Sequence, residues 1–280
     1  PTSSYAMAET LIKASLDAAG TRHTLGKLLV MLSIAVGRQF RRDEAIAHAR
    51  RAADIGRELG NRVIVARAGY AEAWALLYAG ELAAAHRLFE SAVRELVYLC
   101  EPSDAAMAWF GLGSCQGFAG EHELGLRSLA EAIAALEPLD RPLDLSMPLY
   151  VRGVMLLDVG RIDEAASSLE RSRDLSARVG WKSGIGRAAA SLAEITAGRG
   201  DVTEAIEQYE RALAILASEG FIHPMVFIAG ARIFRLAGDL ARARAQVERG
   251  LASAERFVAE RAALERLRDE LRGPDGPTGR

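Results

Sequence analysis

Apolar residues recur at helical spacing along almost the whole chain, with polar residues between them. Ile206, Tyr209, Leu213 and Leu216, for example, fall three and four positions apart. We find no stretch in which β-branched and polar residues alternate as they do in a strand. The pattern therefore predicts an all-α protein. The predicted helices cover 4–19, 23–38, 42–59, 62–79, 81–99, 103–118, 121–137, 146–159, 161–179, 182–198, 201–218, 223–237, 239–256 and 257–271.

Small residues repeat along the chain with a period of forty. One glycine series consists of Gly80, Gly120, Gly160, Gly200 and Gly238, and a small residue follows five positions later at Ala85, Gly125, Ala165, Ala205 and Ala243, with Ala45 as an earlier member. A second series, Gly20, Gly60, Gly180 and Gly220, predicts left-handed helix caps. Where that series lacks a glycine, we expect Pro102 and the segment from Pro138 to Pro142 to break the helices.

This period divides the chain into repeats, each made of two helices. Residues 21–256 form six predicted helix pairs, and residues 1–20 form a half-repeat that caps the first pair. Residues 257–272 form an amphipathic helix whose Leu264, Leu267 and Leu271 pack either on the last pair or on a second chain, which would make a homo-oligomer. The remaining segment, 273–280, is predicted to be disordered because it is rich in glycine and proline.

Residues at fixed places in these units resemble tetratricopeptide repeats. The segment from Trp109 to Gly113 matches the W-x-x-L-G motif of that family. Its second-helix pattern of small, large and small residues occurs as Ala85, Phe89 and Ala92. The forty-residue unit resembles the helical sensor region of large bacterial signal-transduction ATPases that are LuxR-type transcriptional regulators, similar to the maltose-regulon activator. The resemblance implies a right-handed α-solenoid whose first helices line a concave groove.

Composition excludes several classes of protein. Half of the residues are apolar, and the formal charge of −2 argues against a dedicated nucleic-acid-binding protein. We find no apolar run long enough to cross a membrane and no secretory leader, so we expect a cytoplasmic protein without membrane association. The two cysteines, Cys100 and Cys115, are too few for a disulfide framework or for a zinc site of their own.

Motifs for catalysis or for a cofactor are not recognisable in the sequence. The stretch from Gly20 to Leu28 has the wrong spacing for a phosphate-binding loop, and Leu28 stands where Ser or Thr would bind magnesium. The five histidines do not share one repeat position, and Ser114 and Cys115 lie within a predicted helix without a histidine at a recognisable spacing. We therefore expect no enzyme activity, no metal site and no cofactor.

The resemblance also supplies candidate binding residues, because the groove-facing places of the family can be transferred position by position. Tyr70, Trp74 and Tyr78 lie four residues apart on one helix face, and arginines occupy neighbouring places. Some of these aromatic residues could belong to the core, but the core places already have other occupants, so we expect an aromatic floor with cationic walls. The candidates are Arg67, Tyr70, Trp74, Tyr78, Met107, Phe110, Phe118, Tyr150, Asp158, Arg187, Glu194, Arg232 and Arg235.

Two functions are compatible with such a groove. The first is a sensor or interaction region of a bacterial transcriptional or signalling regulator, which binds a peptide, a protein partner or a small organic ligand that carries negative charge. The alternative is a general protein-interaction scaffold without a small-molecule effector. The sequence does not identify the ligand or the partner.

Overall fold

The computed structural model describes residues 4–219, 221–255 and 257–272, and these residues form helices and turns without a strand. The left-handed cap predicted at Gly220 and the disordered tail predicted at 273–280 lie outside the described residues. A short 3₁₀ helix spans Glu137–Leu139. The α-helices are α1 Ser4–Asp17, α2 Arg22–Gly37, α3 Arg42–Glu58, α4 Arg62–Tyr78, α5 Leu82–Tyr98, α6 Pro102–Phe118, α7 His122–Leu136, α8 Pro142–Asp158, α9 Ile162–Arg178, α10 Lys182–Gly198, α11 Val202–Leu216, α12 Pro224–Leu236, α13 Leu240–Ser253 and α14 Val258–Arg272.

These helices confirm the predicted all-α solenoid class. In each of the six pairs the first helix is even-numbered, from α2 to α12, and the second follows it in the chain. Helices α1 and α14 stand outside the pairs at the two ends. The array divides into two compact units, unit 1 over 1–141 and unit 2 over 142–280. Within unit 1, first helix α4 contacts α2 and α6, and within unit 2, α10 contacts α8 and α12. Consecutive first helices therefore form a layer in each unit.

One predicted boundary is wrong by four residues. We expected the first helix of the fourth pair to begin at 146, beyond the segment from Pro138 to Pro142, but α8 begins at Pro142. Pro148 lies inside both the predicted and the observed helix. Proline is well accommodated in the first turn of a helix, where its missing N–H has no helical acceptor. Pro148 is buried, so packing stabilises the helix across it.

Small residues allow the helices of a pair to pack closely, as their period predicts. Ala45, Ala85 and Ala205 are completely buried. A Cβ atom at Gly113 would lie 2.8 Å from Leu129 Cγ, and forty residues later one at Gly153 would lie 2.6 Å from Leu169 Cγ. A leucine of each second helix therefore occupies the space that a side chain on the first helix would need.

Most chain reversals contain one residue with a left-handed backbone. The positive φ angles fall at twenty-residue intervals, at Phe40, Gly60, Gly80, Cys100, Gly120, Asp140, Gly160, Gly180 and Gly200, and again at Gly238. The predicted cap at Gly20 is wrong, because that residue is not left-handed. At 40, 100 and 140 a residue with a side chain adopts the glycine conformation. The turn geometry is therefore kept even where the sequence does not favour it.

Each terminal helix is attached to its neighbouring pair. In α1, the carboxylate of Glu9 accepts hydrogen bonds from Lys13 at 2.6 Å, Gln39 at 2.8 Å and Arg41 at 2.7 Å, and these bonds lower its pKa to about 2. In α14, Leu264 and Leu271 are buried in the core that α14 shares with α12 and α13. The predicted packing on the last pair is therefore confirmed within the single chain, and a role of this helix in a homo-oligomer stays a prediction. No helix in the described ranges has the length and apolarity needed to cross a bilayer.

The left-handed position at 100 provides a test of the turn geometry. Cys100 is exposed and has a φ of 56°, so Cys100→Gly should raise the free energy of unfolding by about 1 kcal/mol. Gly120 has a φ of 81° and free space around its Cα, so Gly120→Ala should lower it by about the same amount. Urea unfolding of both variants measures these changes. A loss of stability in Cys100→Gly would show that the turn does not require a left-handed residue.

Candidate recognition surfaces on the first helices

Aromatic residues of unit 1 form a buried cluster rather than an open floor. The Trp74 ring on α4 lies 5.1 Å from the Phe110 ring on α6, 5.4 Å from the Phe89 ring on α5 and 5.6 Å from the Tyr78 ring, measured between centroids. Trp74 is only 7% exposed and Phe110 only 4%. The expectation that these rings are surplus to packing is therefore wrong for Trp74 and Phe110, which hold α4, α5 and α6 together.

Arg67 of unit 1 has its charge compensated within the protein. Its Nε donates to Asp104 on α6 at 2.7 Å, its Nη2 bonds the same carboxylate, and Glu101 lies 3.6 Å away. The Tyr70 hydroxyl donates to Asp104 at 3.3 Å, and burial raises the pKa of that tyrosine. Arg67 thus joins two first helices. Of the other candidates in unit 1, Met107 is half-buried and Phe118 is exposed.

Arg187 of unit 2 occupies a different environment. It lies on α10, and its guanidinium carbon stands 4.2 Å from the centroid of the Tyr150 ring on α8 and 5.8 Å from that of Trp181. Within the described part of the chain no acidic group lies within 4.0 Å of it, and its buried Nε has no hydrogen-bond partner. The Tyr150 hydroxyl is also buried and also lacks a described partner. The Nε–H of the Arg187 cation and the hydroxyl of the neighbouring Tyr150 therefore both lack an acceptor.

The repeat register explains why these two arginines differ. Arg67 and Arg187 are 120 residues apart, which is three periods, and both lie at the sixth position of their helices. The same shift carries Asp104, the third residue of α6 and the partner of Arg67, to Pro224, the first residue of α12, because the last period has 38 residues and not 40. Neither Pro224 nor Val226, the third residue of α12, has a side-chain acceptor, so Arg187 lacks the carboxylate that its counterpart has.

His223 and Glu260 lie within electrostatic range of Arg187. The sequence indicated no binding role for either residue. His223 caps α12, where its Nδ1 accepts a hydrogen bond from the Met225 N–H at 3.3 Å. The ring proton therefore belongs on Nε2, which stands 3.8 Å from Glu260 Oε1 on α14. Burial lowers the pKa of His223 well below its ordinary value, with a further decrease from the charge of Arg187. Burial raises the pKa of Glu260, which Arg187 opposes.

Four more candidate residues take part in ion pairs in unit 2. Arg232 on α12 bonds Glu194 on α10 at 2.9 Å and lies 3.8 Å from Asp158 on α8. Burial raises the pKa of Glu194, although Arg232 favours its charged form. Arg235 pairs with Glu270 of α14 at 2.5 Å. Side chains from three consecutive first helices therefore meet on one surface, which we call the α8–α10–α12 face.

Known proteins share the fold but little sequence. No protein-family model and no curated protein matches the chain. The structure is similar to the apo form of RapI, with a TM-score of 0.66 and 16% identity over 90% of this chain and 92% of that one. A Rap protein complexed with competence and sporulation factor gives a TM-score of 0.63 and 13% identity over 94% and 79% of the two chains. The fold of these proteins agrees with the helical-repeat architecture described above.

A third similar structure is a signal-transduction ATPase with numerous domains and a tetratricopeptide-repeat sensor, from Pyrococcus horikoshii. The TM-score is 0.63 and the identity 12%, with 95% of this chain covering 42% of that protein. The tetratricopeptide-like fold predicted from sequence is thereby confirmed.

Because Trp74 is buried between three helices, we expect it to contribute mainly to stability. Trp74→Ala should lower the free energy of unfolding by about 3–5 kcal/mol, the usual cost of removing a large buried ring. Phe118→Ala, at a position 47% exposed, should change it by less than about 1 kcal/mol. Denaturant unfolding distinguishes the two. Similar small losses in both variants would place Trp74 on the surface.

The half-buried His223 makes the stability of unit 2 depend on pH. The lowered pKa of His223 means that the unfolded state takes up the proton first, so its contribution is complete above about pH 6.5 and is lost as the pH falls. Between pH 7.5 and 5.5 the loss can be at most about 1.4 kcal/mol, the limit for a folded state that takes up no proton in this range. His223→Asn keeps a side-chain acceptor for the helix cap but has no titrating group. Its free energy of unfolding should therefore fall less than that of the unchanged protein over the same pH range. Equal pH dependence in both proteins would contradict a neutral His223 in the folded state.

Proposed function

We propose that this chain is the recognition region of a bacterial transcriptional or signalling regulator, acting in the cytoplasm. It binds a peptide, a protein partner or a small organic ligand through residues of its first helices. The thirteen candidate residues contribute to binding in different ways. Those of unit 1 that are buried or paired, such as Trp74 and Arg67, shape the first-helix layer, whereas those of unit 2 supply the contacts.

The observation that supports this proposal most is the α8–α10–α12 face. Arg232 reaches Glu194 and Asp158 from the neighbouring first helices, and Arg187 stacks on Tyr150. All five residues were selected from sequence as lining one groove. A ligand seated on this face would contact three repeats together.

Such a ligand could also transmit a signal. Helices in a repeat array contact only their near neighbours, so the spacing of consecutive first helices can change at a low energetic cost. A ligand that binds α8, α10 and α12 more tightly at one spacing than at another shifts the population toward that spacing. Helix α14, tied to this face by Arg235 and Glu270, would follow the change.

Two of the similar structures support the assignment by analogy. One is named as a Rap protein in complex with competence and sporulation factor, and another carries a repeat region named as a sensor. Their identity to this chain is too low to transfer a ligand. They support the proposal only because a protein complexed with competence and sporulation factor and a protein with a repeat sensor have this architecture.

A binding screen tests the proposal. Peptides and organic acids are screened by thermal shift against the whole chain, and the affinity of each ligand found is measured again with Asp158→Asn and with Arg235→Gln. We expect at least one of these exposed first-helix variants to weaken binding about tenfold, as expected for loss of a charge-assisted contact. Glu207→Gln, on the exposed side of α11, serves as the matched control and should leave affinity unchanged. Affinity that depends on Glu207 and on neither first-helix residue would contradict the proposal.

A further inference from the structure

Two of the six buried polar side-chain atoms without a partner in the described structure lie where α8 and α10 meet. Tyr150 is only 6% exposed, yet its hydroxyl has no hydrogen-bond partner in the described structure. The buried Nε of Arg187 is likewise unpaired. A buried donor without an acceptor is costly, and folded proteins rarely retain one without a reason. Two such donors side by side indicate a group that the protein itself does not supply.

The stacking geometry defines which part of the guanidinium is available. The guanidinium carbon of Arg187 lies over the Tyr150 ring, 4.2 Å from its centroid, so the ring covers one side of the guanidinium. Its N–H bonds point outward in the guanidinium plane, where a planar pair of oxygens can accept two of them. The Tyr150 hydroxyl, at the edge of the same ring, offers a further donor.

The charges of the neighbouring groups favour a monoanion over a phosphate. His223 is half-buried, and its Nδ1 already accepts a hydrogen bond from the Met225 N–H, so it adds no positive charge here. Glu260 lies within electrostatic range of Arg187 but does not form an ion pair with it. One guanidinium and one phenol match the single charge and two oxygens of a carboxylate. A phosphate dianion would require more positive charge than this pair supplies.

We propose that Arg187 and Tyr150 form a binding subsite for the carboxylate of a small organic acid with an aromatic or other apolar body. This inference rests on the proposed function, because it names the ligand class for part of the α8–α10–α12 face. The apolar body of the acid would lie against Trp181, whose ring faces the same guanidinium. Arg67, at the same repeat position, is not such a site because Asp104 already occupies its N–H groups.

Nuclear magnetic resonance with simple probes tests the subsite directly. Benzoate is titrated into the whole chain while the Nε–H signal of Arg187 and the indole N–H signal of Trp181 are followed. Both signals should shift with one common saturation curve. Benzamide, which has the same ring without the charge, and inorganic phosphate should bind at least about tenfold more weakly, since each lacks one part of the match.

Variants separate recognition from a structural role. Arg187→Gln should weaken benzoate at least about tenfold, and Tyr150→Phe should weaken it severalfold while raising the melting temperature of the free protein, because it removes an unpaired hydroxyl. Opposite effects on affinity and stability are expected of a group that faces a ligand. The control is the double variant Arg67→Gln/Asp104→Asn, which removes the paired counterpart and should leave benzoate affinity unchanged.

Three results would overturn the inference: equal binding of benzoate and benzamide, binding of phosphate as tight as that of benzoate, or benzoate binding unaffected by Arg187→Gln. The wider proposal fails separately. If benzoate does not bind but the affinity of a screened ligand depends on Asp158 or Arg235, the result supports binding at the α8–α10–α12 face and contradicts the carboxylate subsite. If benzoate binds as expected and the affinity of no screened ligand depends on those residues, the result supports the subsite and contradicts the wider face.

Discussion

The regular chain reversal, with one left-handed residue every twenty positions, is the constraint on which the rest of this structure depends. Helices α3 to α6 and α8 to α10 each span 17 residues, and three residues carry the chain into the next helix. Because this length is fixed, residues forty apart along the array take equivalent places in successive pairs. Gly113 and Gly153 thus both accept a leucine of the second helix. Phe40, Cys100 and Asp140 adopt the same backbone without being glycine, which shows how strongly packing imposes the turn.

Much of this fold could be predicted from the sequence because its signals are local. Glycine at a left-handed turn and alanine at a close helix crossing both act within one repeat, so their spacing was sufficient to find six pairs. The start of α8 differs from the prediction because the segment from Pro138 to Pro142 was expected to break the helices, whereas Pro142 is the first residue of α8. Proline is compatible with the first turn of a helix, so a proline in the sequence can mark the start of a helix as well as its end.

The candidate site was harder to predict because it depends on contacts between repeats. Repeat register placed Trp74 toward the groove, but the register cannot show that Phe89 and Phe110 close around its ring. Register likewise treated Arg67 and Arg187 as equivalent. The signal that separates them, an aspartate or a proline 37 residues later, was present in the sequence, but its meaning required the distance between α4 and α6. Structural pairing in unit 1 and unpaired donors in unit 2 thus arise from one repeat position.

The central claim, that Arg187 is free for a ligand whereas Arg67 is bound within the fold, is tested most directly by two double-mutant cycles on the free energy of unfolding. One cycle combines Arg67→Gln with Asp104→Asn, and the other combines Arg187→Gln with Glu260→Gln. We predict a coupling energy of about 1–3 kcal/mol for the first pair, which is hydrogen-bonded, and less than about 0.5 kcal/mol for the second. A coupling between Arg187 and Glu260 as large as that of the first pair would show that Arg187 already has an intramolecular partner and would contradict the account.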